Sequence, residues 1–267
     1  MVSQSPGAGA LPEVIALLDA SGTFPEPARE AFPGASEADW AAAARADPGA
    51  FGPDGAWRLD FRCFAVRRPG GGVTLVDAGV GGPDSAAASW APVPGRLPQA
   101  LAEAGIAVAD IDSVVLTHLH SDHVGWAVGP DGSPFFPDAS YVVQRAETAA
   151  LAPGSSALTR VVAPLRRAGV LHEVAGEFRL DRTVALLPTP GHTPGHQSVL
   201  VMHGARETVV TGDVLVHAVQ WVNPAVGYVY EDDPELARRT RETLLARAAA
   251  RRTVLATAHL TRAFVAP

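Results

Sequence analysis

The sequence has a single cysteine, Cys63, so no intramolecular disulfide can form. Cys63 falls in an alternating segment that puts Leu59, Phe61, Cys63 and Ala65 on one face, which predicts a buried, inert thiol rather than a nucleophile. No apolar run approaches the roughly 20 residues needed to span a bilayer, so no membrane partner is expected. Basic residues are in deficit, 21 against 28 acidic ones, for a formal net charge of −7. A nucleic-acid partner needs the opposite balance. The opening Met1-Val2-Ser3-Gln4-Ser5-Pro6-Gly7 has neither the basic stretch nor the apolar core of a secretory signal, so the cytoplasm is the expected location. Apolar residues are plentiful: 47% of the 267 positions are hydrophobic and 18% charged. That suits one large domain or two small ones with a sizeable core.

Residues 1–57 are rich in Ala, Pro and Gly and are expected to form an arm packed on the main body. Leu11 to Asp19 and Glu37 to Arg45 read as short helices, separated by Pro25, Pro27 and Pro33. The main domain is expected over 58–267. Arg58 to Arg67 alternates, Gly70-Gly71-Gly72 turns, and Val73 to Val76 is apolar again, the pattern of a β-hairpin. Further strands are expected over Ser113–Leu116, Ala139–Gln144, Val184–Leu187, Ser198–Met202, Thr208–Thr211 and Thr253–Thr257. Helices are expected over Leu97–Ala104, over Ser156–Ala168 with an interruption at Pro164, and over Pro234–Arg252, whose arginines read as a solvated face. Strands interleaved with helices indicate an α/β protein. No internal repeat is visible in the residues.

Residues 117–123, Thr-His-Leu-His-Ser-Asp-His, carry the chemistry. His118, His120, Asp122 and His123 follow directly on an apolar strand, and this density of imidazole and carboxylate is what a divalent metal requires. Other ligand-type residues also sit at strand ends: His192 after Val184–Leu187, Asp213 after Glu207–Val210, and His259 after Val254–Ala256. Loops at strand ends are where scaffolded sites are built. Together these make seven potential ligands, enough for two metals bridged by a carboxylate.

This set resembles the metallo-β-lactamase fold superfamily. The resemblance rests on His-x-His-x-Asp-His at 118–123, Gly-His at 191–192, Gly-Asp at 212–213, His259 and Leu75-Val76-Asp77-Ala78-Gly79. It implies a four-layer αββα sandwich with the metals at the open edge between two sheets. On that pattern His118, His120 and His192 hold one metal, Asp122, His123 and His259 hold the other, and Asp213 bridges them. Asp77 and His196 would lie behind the ligands and orient them. Asp77 could instead simply form a turn before Gly79, and His196 could be plainly structural. Within the superfamily, Asp-His-Val-Gly-Trp at 122–126, Pro-Thr-Pro-Gly-His-Thr-Pro-Gly-His at 188–196 and Thr-Gly-Asp-Val-Leu-Val-His at 211–217 resemble methyl parathion hydrolases and N-acyl homoserine lactonases. The homoserine lactonases carry a Tyr three residues after the bridging Asp; here that position is Val216, a departure from the pattern. The sequence continues only eight residues beyond His259. One pocket wall is therefore expected to be open, filled by the N-terminal arm, or closed by a second copy in a homodimer.

The expected cofactors are two divalent metal ions. Zinc suits the N/O ligand set best, and manganese, cobalt or iron also fit. The implied activity is hydrolysis of a lactone, ester or thioester, and more loosely a phosphotriester, by a hydroxide bridging the metals, with Asp122 moving the proton. The alternative on the same site is a metal-dependent cyclase or aldolase-type biosynthetic enzyme. Trp126, Phe135, Phe136, Trp221, Tyr228 and Tyr230 flank the ligand segments and are expected to line a pocket for a small molecule with an apolar acyl or aryl part. Tyr228 or Tyr230 could supply the hydroxyl that Val216 lacks. His217 is expected within reach of the pocket, and His172 and His203 on surface loops.

Overall fold

The computed structural model describes residues 11–266. Two six-stranded sheets face each other. The first comprises β1 (Glu13–Thr23), β2 (Arg58–Arg67), β3 (Val73–Val76), β4 (Ile111–Val115), β5 (Ser140–Gln144) and β6 (Leu171–Val174), in sequential order. The second comprises β7 (Phe178–Arg179), β8 (Val184–Pro188), β9 (Gln197–His203), β10 (Arg206–Val210), β11 (Val254–Ala256) and β12 (Phe264–Val265), also sequential. The β1–β2 and β2–β3 pairs are antiparallel, and β3 through β6 are parallel. In the second sheet only the β10–β11 pair is parallel.

The apolar residues sort into layers. Phe64, Val66, Val76, Val115 and Val142 of the first sheet meet Val184, Leu186, Val199, Val201 and Val210 of the second. The outer face of the first sheet packs Cys63, Ala65, Leu75 and Val114 against the helix Leu97–Glu103 and against Val161, Val162 and Leu165. The outer face of the second packs Val209 and Leu255 against Leu244 and Ala248 of the helix Pro234–Arg251. This is the αββα order the motif implied. It also explains β2, which is buried on both faces because a central strand has neighbours above and below. Cys63 is fully buried, and burial, reinforced by Asp19, Asp77 and Asp122, pushes its thiol well above its ordinary pKa, as an inert thiol should be.

One expected element is wrong. Leu11 to Asp19 does not form a helix; Glu13–Thr23 is a strand that pairs with β2 along its length. Its Val-Ile-Ala-Leu-Leu run is a short apolar stretch whose periodicity fits either structure. Its pairing with the 58–67 strand decides the outcome. The expected helix at Glu37 does form, over Glu37–Ala46, with a reciprocal Ser36–Asp39 capping box. Residues 1–10 of the expected arm lie outside the described residues. Pro164 interrupts its helix as expected. The preceding turn, Leu158–Val162, widens to π geometry before the helix resumes over Ala163–Arg167, because a proline cannot donate its N–H and crowds the turn before it. Among the described residues no helix is long and apolar enough to cross a membrane.

A candidate dinuclear metal centre

All seven candidate ligand residues converge at one edge of the sandwich, where the loops after β4, β8, β10 and β11 meet. They fall into two groups: His118, His120, His192 and Asp213, and Asp122, His123 and His259. In the first, His120 Nδ1 lies 3.0 Å from both His118 Nε2 and His192 Nε2. In the second, His123 Nε2 and His259 Nε2 are 3.2 Å apart, with Asp122 Oδ2 at 3.4 and 3.5 Å from them. Asp213 reaches both. Its Oδ2 is 3.2 Å from His192 Nε2 and 3.8 Å from His118 Nε2, while its Oδ1 is 3.2 Å from His123 Nε2 and 3.1 Å from His259 Nε2.

The hydrogen bonds behind the rings fix which nitrogen faces inward. Thr117 donates its hydroxyl to Asp77 Oδ2, so it can only accept from His118 Nδ1. His123 Nδ1 donates to Asp77 Oδ2 and His259 Nδ1 to the Asp60 carbonyl. Each of these three rings therefore uses Nδ1 as its outward donor and turns Nε2 into the centre. Ring nitrogens of His118, His120 and His192, and those of His123 and His259, face one another at 3.0–3.2 Å, close enough for each set to share a cation. Such spacings match the roughly 3.3 Å edge of a tetrahedron with metal–nitrogen bonds of about 2.0–2.1 Å. Asp213 Oδ1 is buried without a hydrogen-bond partner, another mark of a group that needs a cation. The donor set and its orientation fit two divalent ions.

Burial and charge divide the histidines. For His123 and His259 burial pushes the pKa down, but Asp213 and Asp122 outweigh it and raise both above their ordinary value, so these two rings draw a proton that a bound cation would displace. Burial, reinforced by its neighbouring histidines, holds His118 well below its ordinary pKa and His120 at about 4, so both are neutral ligands. For Asp213, burial pushes upward, but His123, His259 and His192 outweigh it and keep it an anion. Asp122 behaves the same way through His123 and His259.

Asp77 sits in the left-handed region at φ 62°, an uncommon place for a residue with a side chain. The conformation aims its carboxylate at Thr117 N, Thr117 Oγ1 and His123 Nδ1. Asp77 thus ties Thr117 to His123 besides standing at the turn before Gly79. His196 is fully buried, and burial pushes its pKa down to about 3. Its Nε2 accepts from the Asp213 backbone N–H at 2.9 Å, and its Nδ1 contacts Thr189 Oγ1, which continues through Ser198 Oγ to the Thr211 carbonyl. His196 thus holds the backbone of Asp213. Gly212, at φ +52°, has to be glycine here: a Cβ would lie 2.6 Å from His196 Nε2.

Three structural residues are not visible in the motifs. Glu147, only 4% exposed, accepts from Leu119 N, Gly195 N and Thr193 Oγ1, stapling the 118–123 loop to the 191–196 loop. Asp19 on β1 accepts from Val80 N, Leu97 N and Trp126 Nε1. Arg241 is 1% exposed and bonds Glu231, Pro224 O and Val226 O, pinning the 224–231 segment that borders the site. That corrects the reading of the helix arginines as uniformly solvated.

Two cavities adjoin the centre. One, of about 700 Å³, contains the metal face and is walled by Phe24, Trp57, Trp90, Val216, Tyr228 and Tyr230. Phe24, Pro25, Glu26 and Trp57 of the N-terminal segment thus supply part of its wall. The other, of about 810 Å³, holds Trp126 and Phe135. Phe136 and Trp221 line neither. Phe136 is enclosed in the core beneath the first sheet, and Trp221 packs against the buried cluster on the outer side of the second. His217 also lies outside the cavities, boxed by Phe32, Trp40, Phe51 and Trp57 with ring centroids at 5.4–5.6 Å. His172 is exposed but on β6, and His203 ends β9, bonded to Pro12 O and Thr208 Oγ1.

Comparison with known proteins agrees with this geometry. An N-acyl homoserine lactonase from Bacillus sp is 33% identical over 121 residues, 45% of this chain and 43% of that protein. The N-acyl homoserine lactonase AttM of Rhizobium radiobacter is 32% identical over 132 residues, 46% of this chain and 48% of its own. The chain therefore spans about half the length of the curated relatives it matches. Among solved structures, the hydrolase AbOPH of the β-lactamase superfamily superposes with a TM-score of 0.80 at 23% identity, over 96% of this chain and 89% of that one. AidC, a dizinc quorum-quenching lactonase, superposes at 0.77 with 20% identity, over 95% and 89%. The family model of the metallo-β-lactamase superfamily matches residues 62–259, the span that carries every ligand described above, and the chain belongs to that superfamily.

Proposed function

We propose that the protein is a dinuclear metal-dependent hydrolase that opens lactones or cleaves related carboxylic esters, with zinc the first choice of metal. The observation that carries this reading is Asp213, whose two carboxylate oxygens each face a separate histidine group at 3.1–3.2 Å. When bound, two divalent ions supply Lewis acidity and lower the pKa of water toward about 7. The chain's own residues do the rest. Asp122 lines the metal-side cavity and is held as a carboxylate, so its free oxygen can take the proton of the attacking water and return it to the leaving alkoxide. Tyr228 lines the same cavity, stacked on Phe32 at 5.0 Å and parallel to His192 at 6.2 Å. Burial, together with Asp213 and Asp122, raises its pKa, so the phenol stays protonated and can donate to the substrate carbonyl. It stands where Val216 offers no hydroxyl. Tyr230 is half exposed and its hydroxyl is taken by Glu26, so it is the poorer donor. Trp57, Phe24 and Leu59 exclude water from the apolar wall.

The test is turnover by zinc-loaded protein on lactones, aryl esters, thioesters and phosphotriesters. The lactone series should turn over, with kcat/KM rising with pH to a plateau; chelation should abolish it, and Tyr228→Phe should lower kcat more than it raises KM. Asp122→Asn should lose activity by roughly 10²–10⁴-fold, well beyond any loss of metal. Conversion of a carbonyl compound without consumption of water, together with no hydrolysis of any of the four classes, would move the assignment to a cyclase or aldolase.

A further inference from the structure

The metal-side cavity has an aromatic wall and an acidic mouth. Phe24 sits among the rings of that wall, with centroids 4.5 Å from Trp57, 5.7 Å from Trp90 and 6.2 Å from Tyr230. Three carboxylates border the mouth: Glu26, Glu231 and Asp232. Glu231 is neutralised, because Arg241 Nη1 donates to it at 2.7 Å with both side chains buried. Glu26 and Asp232 have no ion-pair partner among the described residues, and Arg29, close to Glu26 in sequence, is committed to Glu37. Glu26 accepts from the Tyr230 hydroxyl, which holds the acid beside that ring. The Asp232 N–H donates to the His192 carbonyl at 3.1 Å, which ties the other acid to a ligand loop. No arginine lines the cavity among the described residues, and the sequence has no lysine. Tyr228, only 7% exposed, lines the same cavity, and its hydroxyl has no hydrogen-bond partner among the described residues. That buried, unpaired hydroxyl marks the cavity as one built to be filled.

We propose that this cavity takes a substrate bearing a cationic group, an ammonium or quaternary amine, which lies at the mouth beside Glu26, Asp232 and the aromatic rings while the ester carbonyl lies at the metal centre. This rests on the hydrolase reading for the ester; the charge of the group rests on the mouth alone. An anion would meet two uncompensated carboxylates there, and a neutral group gains nothing from them. A cation is drawn by both acids and by the electron-rich faces of the rings. It is repelled from the metal floor, so it stays at the mouth. The apolar wall behind the acids limits the screening that would weaken the same carboxylates on an open surface.

Choline and its uncharged isostere 3,3-dimethylbutan-1-ol, bound to zinc-loaded protein and followed by calorimetry, read the charge without turnover. Choline should bind roughly tenfold or more tightly than the alcohol, since contact of a cation with aromatic rings alone gives about 3–30-fold. Glu26→Gln combined with Asp232→Asn should cut that ratio several-fold. Because the double variant could disturb the segments it sits on, added sodium chloride gives a second reading on the unaltered protein: choline should lose affinity and the alcohol should not. Equal binding of the two ligands, or a choline preference undiminished by both the double variant and salt, would overturn the proposal. Butanoylcholine and 3,3-dimethylbutyl butanoate separate the two readings. Hydrolysis of both at one rate, with no preference for choline in binding, would sink the cation site and leave the hydrolase. The expected choline preference without hydrolysis of any ester would instead retire the hydrolase reading and leave the cation site standing.

Discussion

Glu147→Gln should weaken one metal ion and spare the other. Glu147 is buried and gives one oxygen to Leu119 N at 3.0 Å and the other to Thr193 Oγ1 at 2.7 Å and Gly195 N at 2.9 Å. A glutamine has one oxygen to offer. Whichever way the amide turns, its NH2 faces a backbone N–H, and one buried donor is left unsatisfied at a cost of about 1–3 kcal/mol. The loosened staple joins the loop of His118 and His120 to the loop of His192, the proposed ligands of one ion. Asp122, His123 and His259 are the proposed ligands of the other, and none of them lies on the 191–196 loop. Zinc titration of stripped protein against a chelating dye should therefore show one ion weakened by roughly 10–100-fold, the range for groups that orient ligands, with the other nearly unchanged. Equal weakening of both ions, or of neither, would refute the staple.

Arg241→Met should destabilise the protein by about 3–5 kcal/mol, because it strands Glu231 in the interior, and Glu231→Gln in the same chain should recover part of that; urea unfolding measures both. Arg238→Ala, on the exposed face of the same helix, should leave the unfolding midpoint almost unmoved. His217 supplies a pH dependence. Burial holds it at about 3 in the folded state, below its ordinary value of 6.5, so the unfolded chain takes up the proton first as pH falls. Stability should therefore decline from pH 6.5 downward. Between 6.5 and 5 the zinc-free parent should lose about 2 kcal/mol more than His217→Gln, whose amide oxygen can still accept from Val219 N.

The convergence of the seven candidate ligands was legible in the sequence because each sits in a short local pattern at the end of a recognisable strand, where chain order alone brings them to one edge. Asp77 and His196 were legible through the same patterns, although only the coordinates show that His196 grips the Asp213 backbone. Glu147 was not, because its partners lie 28 to 48 residues away and a lone glutamate in the helix Arg145–Ala149 reads as surface. Arg241 was hidden among exposed arginines, and nothing local marks it as the one that turns toward Glu231. The expected helix over Leu11 to Asp19 failed for a related reason: an apolar run beside a long central strand becomes a strand because its partner offers unpaired N–H and C=O groups. Phe136 and Trp221 show that nearness in sequence to a ligand does not place a ring in a cavity. The alternate faces of these segments pack into the sheets.

The bridging role of Asp213 is tested most directly by counting metal ions per chain, by elemental analysis of the parent and of Asp213→Ala purified without chelator. Two ions in the parent and at most one in the variant are expected, since the loss removes the carboxylate shared by both histidine groups. One ion in a fully active parent, or two retained in Asp213→Ala, would contradict it.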